Sequence, residues 1–306
     1  MLDYSITMLY KKNNKDLFKH EHIIFVSDFF IKKLIKAEHF YIDGTFIYPS
    51  EFKQLLVILY HDSEKNKRFP GLFALTNNKN EEGYYYLFNK IKQILTIEGT
   101  VNLSLKSYTI DFEMGLINSL SKIFPNIKKV GCYFHYTRAL RNKANKLKLL
   151  NSEKKEITIS LLKQLYKAPF IFPKDKNYIN SICESFSKKY EYLTIFIGYY
   201  TSQWYKYFEN GMLDYSIITK SQRSNSYIEN YNRRIKLKLS KFLFGKNKTK
   251  ISWPLFIYFI THEEDEYKKE IFKLDNSVQL KEVKLIDNNI VGQDDININI
   301  NDKYIC

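Results

Sequence analysis

Cysteine is scarce in this chain, with Cys132, Cys183 and Cys306 as the only three among 306 residues. An odd, widely spaced set cannot build the disulfide framework of a small secreted protein, so a reducing, intracellular compartment is expected. Long apolar runs are also missing. The early run at 23–30 is short and contains Asp28, far from the roughly 18 uncharged apolar residues that span a bilayer, so no membrane association is expected. The first residues lack a signal-peptide layout, since Asp3 stands close to Met1 and no basic segment leads into an apolar one. Negative charge is the minority sign: 33 Asp and Glu face 48 Lys and Arg, for a net charge of +15.

What is present is ordinary globular material. Hydrophobic residues make up 44% and charged residues 26%, which suits a packed core and argues against disorder through most of the length. The length accommodates one large domain with an insertion, or two domains. The positive excess suits a polyanion such as nucleic acid, because cations that neutralise phosphates release condensed counterions. The same abundance of Lys, Asn, Ile, Tyr and Phe is what AT-rich codon usage produces, so the charge supports nucleic-acid binding without establishing it.

Residues 1–38 mix lysine with short apolar runs and suggest helix and lead-in. Short β-type runs then follow at Phe40–Thr45, Leu55–Tyr60 and Leu72–Leu75, bounded by polar or Pro/Gly signals. Leu87, Phe88, Ile91 and Ile94 share one helical face. Ser107–Ile110 reads as a strand, Met114–Phe124 as a helix stopped by Pro125, and Ile127–Gly131 as a last short strand. The order is β-β-β-α-β-α-β. From Phe134 to about Tyr207 the chain is Lys-rich and helical in period, with a break expected at Pro169 to Pro173. Ser224–Phe242 carries apolar residues at Ile228, Tyr231, Ile235, Leu239 and Phe242, with Arg233, Arg234, Lys236 and Lys238 on its other face. Asp287–Cys306 holds four aspartates against one lysine and is low in complexity, so loose packing is expected there.

Asp43 and Asp111 occupy matching contexts, each following an isoleucine at the end of an apolar run. With Ile42 and Ile110 in the core, strand alternation points both aspartates to the opposite face, where they meet if the strands are neighbours. Paired carboxylates of that kind suit hard divalent cations, which activate and stabilise the oxygens of a phosphodiester. Each aspartate also fits a plain role as turn residue or helix cap, and Asp-Gly is a common turn signal. Glu113 is a reserve ligand whose simpler reading is helix-start charge. Glu229 has two local readings: Ser226-x-x-Glu229 fits a capping box, and Glu229 with Arg233 fits an i, i+4 ion pair.

Taken as an ordered set, Asp43-Gly44-Thr45-Phe46, Phe69-Pro70-Gly71-Leu72-Phe73-Ala74-Leu75, Asp111-Phe112-Glu113, Phe124-Pro125, Gly131-Cys132-Tyr133-Phe134-His135 and Asn225-Ser226-Tyr227-Ile228-Glu229 closely resemble Mutator-like (MULE) transposases. The resemblance covers roughly residues 35–240. It implies an α/β fold: a ribonuclease-H-like mixed sheet flanked by helices, with a mostly helical insertion before the last carboxylate. It also implies a DDE triad of Asp43, Asp111 and Glu229, spaced by 68 and 118 residues, holding Mg²⁺ or Mn²⁺ as two ions. The implied reaction is hydrolysis at transposon ends, followed by attack of the freed 3′-hydroxyl on target DNA. Double-stranded DNA is then the partner, the nucleus the location, and a homo-oligomer the assembly.

The corresponding division is a lead-in at 1–38, the first part of the catalytic core at 39–133, the helical insertion at 134–220, core-completing helices at 221–270, and an acidic tail at 271–306. Cys132-x-x-His135 matches a recurring family motif. By itself it is half a zinc site, because structural zinc wants four ligands, so a structural role is preferred, with His135 able to donate toward the site or the DNA. Arg233, Arg234 and Lys236 are candidate DNA contacts, and a solvated basic face is the alternative. Tyr84–Tyr86, Tyr199, Tyr200, Trp204, Tyr205 and Tyr207 invite base stacking, but core packing is preferred. Departures exist: the Cys/His-rich DNA-binding modules usual in the family are not found, and Asn232 sits where relatives often have histidine. A domesticated DNA-binding protein without activity is therefore the competing reading.

Overall fold

The computed structural model describes residues 22–96, 103–216, 218–245 and 248–288. Backbone packing divides the chain into residues 1–260 and 261–306, and the sheet described next belongs to the first of these units. Its strands are β1 (His22–Phe25), β2 (His39–Thr45), β3 (Gln54–Asp62), β4 (Lys67–Thr76), β5 (Ser107–Ile110) and β6 (Lys128–Gly131), in the spatial order β1-β4-β3-β2-β5-β6. Pairs β1/β4, β4/β3 and β3/β2 are antiparallel, whereas β2/β5 and β5/β6 are parallel. This mixed α/β sheet, flanked by helices, is compatible with a ribonuclease-H-like core.

β3 explains why the sheet is covered on both faces. Leu55 to Tyr60 are all apolar and buried, and because successive side chains alternate faces, both sides need a lid. Pro70 lies inside β4, where a missing N–H would ordinarily break a ladder. The register against β3 jumps there from Ile58↔Leu72 to Leu59↔Pro70, leaving Gly71 as an extra residue. This bulge accommodates the proline.

The lead-in departs from expectation. Residues 1–21 lie outside the described residues, and α1 (Asp28–Lys36) is helical, but His22–Phe25 is a strand paired with β4. Four residues carry too little period to be read locally, and the edge of β4 supplies the partner.

α2 (Glu81–Leu95) starts at Asn80, whose side chain accepts from the Gly83 amide at 2.8 Å. It packs beside α3 (Met114–Ile123), where the Ser119 hydroxyl donates to the Glu81 carbonyl at 2.6 Å. After β6 come α4 (Tyr133–Lys146), α5 (Lys155–Ile171), α6 (Tyr178–Lys189) and α7 (Thr194–Glu209). Tyr200, Trp204 and Tyr207 are buried among them, as is Tyr84 in α2, while Tyr85 and Tyr86 are exposed.

The break expected at Pro169 to Pro173 falls inside that span, with α5 running through Pro169 and ending at Ile171. A proline there removes the donor that would bond the carbonyl four residues back. That carbonyl, on Leu165, instead accepts the Tyr136 hydroxyl at 2.7 Å. Further on, α8 (Ser226–Leu239) ends three residues before Phe242, and α9 (Trp253–Asn288) carries helix into the stretch read as an acidic tail. Residues 289–306 lie outside the described residues. Among the described residues, no helix is long and apolar enough to cross a membrane.

Candidate active site

The site forms where β2 and β5 end side by side. Their parallel pairing runs as far as Tyr41 and Thr109; Asp43, still in β2, and Asp111, one residue past β5, each follow two residues later. Beneath them, His39 fixes this register: Nδ1 lies 2.7 Å from Ser107 Oγ and Nε2 lies 2.9 Å from Thr109 Oγ1. Burial, followed by the charges of His61 and Arg68, pushes the His39 imidazole down to about 3, so it stays neutral at ordinary pH.

Asp43 is 9% exposed. Its Oδ1 accepts from the Gly44 amide at 2.9 Å, and its Oδ2 accepts from Asn232 Nδ2 at 3.2 Å. Burial first, and then the Asp111 and Glu229 charges, push the Asp43 carboxyl up to about 7. Asp111 and Glu229, 68 and 186 residues further along the chain, therefore both lie within electrostatic reach of Asp43. Asp111 Oδ1 accepts from the Glu113 amide at 3.1 Å.

Glu113 takes a supporting position. The Tyr84 hydroxyl is 3.2 Å from both of its carboxylate oxygens and 3.0 Å from Gln54 Oε1. Burial raises the Glu113 carboxyl above its ordinary value, with Lys79 opposing. Gln54 in turn lies against Gly44, where an added Cβ would stand 1.5 Å from Gln54 Nε2. Only glycine leaves room for that amide beside Asp43.

α8 lies across β2 and is tied to it by Asn225, whose side-chain Nδ2 donates to the Ile42 carbonyl at 3.1 Å. The Asn225 backbone N–H donates to Cys132 Sγ, also at 3.1 Å. Neither local reading of Glu229 is realised. The residue preceding the helix is Asn225, without a side-chain capping bond, and Arg233 reaches Asn230 Oδ1 at 3.4 Å. Glu229 Oε1 instead faces His135 Nε2 at 3.4 Å. Burial raises the Glu229 carboxyl, while His135 and Arg138 pull it back down. Cys132, His135 and Glu229 each offer a ligand atom, and these atoms lie within 4.8 Å of one another.

Arg233, Arg234 and Lys236 are exposed on the side of α8 away from buried Ile228, Tyr231 and Ile235, and the Arg234 guanidinium lies 5.3 Å from the Tyr231 ring centroid. Sequence reasoning missed Gln54 and His39, and named Tyr84 and Asn225 without these roles. Their roles depend on partners 29 to 183 residues away, and only Asn225, inside a recognised motif, carried a local signal.

Residues 39–139 match the family model of the MULE transposase domain. The match supports a Mutator-like element transposase, and with it a transposase-related function that involves DNA. The MULE domain match includes Asp43, Asp111, Cys132 and His135, and ends before Glu229. Comparison with curated proteins gives no match.

Proposed function

We propose that this chain is the catalytic domain of a MULE-type DDE transposase, built on a ribonuclease-H-like core, which cuts DNA at transposon ends and joins the freed ends to target DNA. The observation that carries this reading is that Asp43, buried on β2, lies within electrostatic reach of both Asp111, just past β5, and Glu229 on α8. Crowded, partly buried carboxylates are costly without a cation among them.

The donor set fits Mg²⁺ or Mn²⁺. All three proposed ligands are carboxylate oxygens, the hard donors such ions take, and Asp43 is oriented by hydrogen bonds from the Gly44 amide and Asn232 Nδ2. A bound pair of ions would supply Lewis-acid stabilisation of the attacking and leaving oxygens of a phosphodiester. Asp43 and Asp111 would hold ions from the rigid sheet. Glu229 would close the site from α8, and the exposed Arg233, Arg234 and Lys236 would contact the DNA backbone nearby. Action on chromosomal DNA in the nucleus, by more than one copy of the chain, belongs to the same proposal.

The test is nicking of duplex DNA taken from either side of the coding region and searched for inverted repeats, with Mg²⁺ or Mn²⁺ supplied. Wild-type protein is expected to nick and join strands. Asp43→Asn, Asp111→Asn and Glu229→Gln are each expected to abolish both steps. Unchanged activity in all three variants would remove the triad assignment, and chromatin association without cleavage of any substrate would favour the domesticated reading.

A further inference from the structure

Cys132 immediately precedes α4, and His135 lies in its first turn, so the x-x spacing brings both side chains to the same end of the helix. Glu229, in the first turn of α8, meets them there. Cys132 is fully buried, whereas the His135 and Glu229 side chains are 29% and 25% exposed, leaving a way in from solvent. His135 Nδ1 and Glu229 Oε1 are buried atoms without a hydrogen-bond partner.

We propose that Cys132, His135 and Glu229 form a metal site of their own, suited to Zn²⁺. The donor types decide the ion. A thiolate and an imidazole select zinc over magnesium, which prefers oxygen alone. Bonds of about 2.0–2.3 Å in a tetrahedral zinc site put its ligand atoms roughly 3.3–3.8 Å apart. The observed spread of up to 4.8 Å closes with movement on the order of 1 Å, within the reach of side-chain rotation.

His135 Nε2 already faces Glu229 Oε1 at 3.4 Å, a pairing of two groups that a shared cation accommodates without a proton on the imidazole. The Asn225 amide donating to Cys132 Sγ at 3.1 Å is the kind of outer contact that orients a thiolate ligand. Binding releases the thiol proton to solvent. Three protein ligands leave the fourth position to water. Such an ion would fasten α8 to α4 and fix one oxygen of Glu229. The inference stands on this cluster alone and does not require the Mg²⁺ reading, although Glu229 belongs to both groups.

The experiment uses the full chain, stripped of metal and titrated with Co²⁺ as the spectroscopic probe, followed by Zn²⁺ in competition. The expected result is a thiolate-to-cobalt charge-transfer band, lost when Zn²⁺ displaces the cobalt. Cys132→Ser is expected to remove the band. His135→Gln is expected to weaken binding by about tenfold or more in a chain whose circular dichroism is unchanged. Asp43→Asn keeps the band. Absence of the band in folded wild-type protein, its survival in Cys132→Ser, or its loss in Asp43→Asn would each overturn the proposal. Loss of nicking in Asp43→Asn with an intact band bears on the Mg²⁺ reading alone, so the two can fail separately.

Discussion

Asn232 Nδ2 donates to Asp43 Oδ2 at 3.2 Å, linking the second turn of α8 to the carboxylate end of β2. The bond favours the charged form of an aspartate that burial and two neighbouring carboxylates disfavour. Outer contacts of this kind are worth about 10–100-fold in metal affinity or activity. Asn232→Ala is expected to lower Mg²⁺ affinity or turnover within that range while leaving the thermal midpoint nearly unchanged. Titration calorimetry against wild-type protein checks this, and equal affinities would show that Asn232 does not hold Asp43.

Gly44 leaves no space for a side chain, with Gln54 Nε2 1.5 Å and Gln54 Cδ 2.6 Å from an added Cβ. Gln54 is buried and its Oε1 takes the Tyr84 hydroxyl, so it cannot swing away without losing that bond. Gly44→Ala is expected to cost about 1–3 kcal/mol of stability, as overpacking does. A urea unfolding midpoint equal to that of wild type would show that the amide relaxes freely.

Tyr136 and Pro169 form a testable pair. Removing the hydroxyl in Tyr136→Phe leaves the Leu165 carbonyl without the partner it now has, at a cost of about 1–3 kcal/mol. Pro169→Ala restores an N–H able to bond that carbonyl within α5. Tyr136→Phe should therefore cost less in the Pro169→Ala background. A double-mutant cycle by chemical denaturation measures the coupling, and strict additivity would break the link.

His39 gives the fold a dependence on pH. Its imidazole is held down at about 3 in the folded chain against 6.5 when unfolded, so in mild acid only the unfolded state takes up its proton. The stabilisation is fully present above about 6.5 and is lost as pH falls toward 3, at up to about 1.4 kcal/mol per pH unit. Denaturation at pH 7.5, 6 and 5 should show this decline, and His39→Gln should flatten it. An equally steep decline in His39→Gln would assign the effect elsewhere.

Much of the sheet could be read from the residues, because β2, β3 and β4 are apolar runs bounded by Gly, Pro and polar residues, and β5, α3 and β6 follow with clear period and stops. β1 could not be, since four residues become a strand only when β4 offers its edge. The break at Pro169 to Pro173 could be read from the prolines, but not that α5 passes Pro169 before ending, because a tyrosine from another helix answers the carbonyl left without a donor. Asp43 and Asp111 could be proposed as a pair from the residues because strand alternation is local. Glu229 could not, because its local sequence suits a capping box and an ion pair equally well, and its contact with His135 spans two distant helices. The Cys132-x-x-His135 spacing looked like half a site because its further acidic neighbour comes from α8.

Asn225 holds α8 to β2 and to Cys132 with two bonds, and this has a consequence for synthesis. A ribosome releases the chain from its first residue onward, so every strand of the sheet emerges before α8 does. A nascent or prematurely terminated chain that stops short of residue 225 presents two aspartates without Glu229. If the proposed chemistry needs all three, a chain cut short there is inert toward DNA wherever it travels.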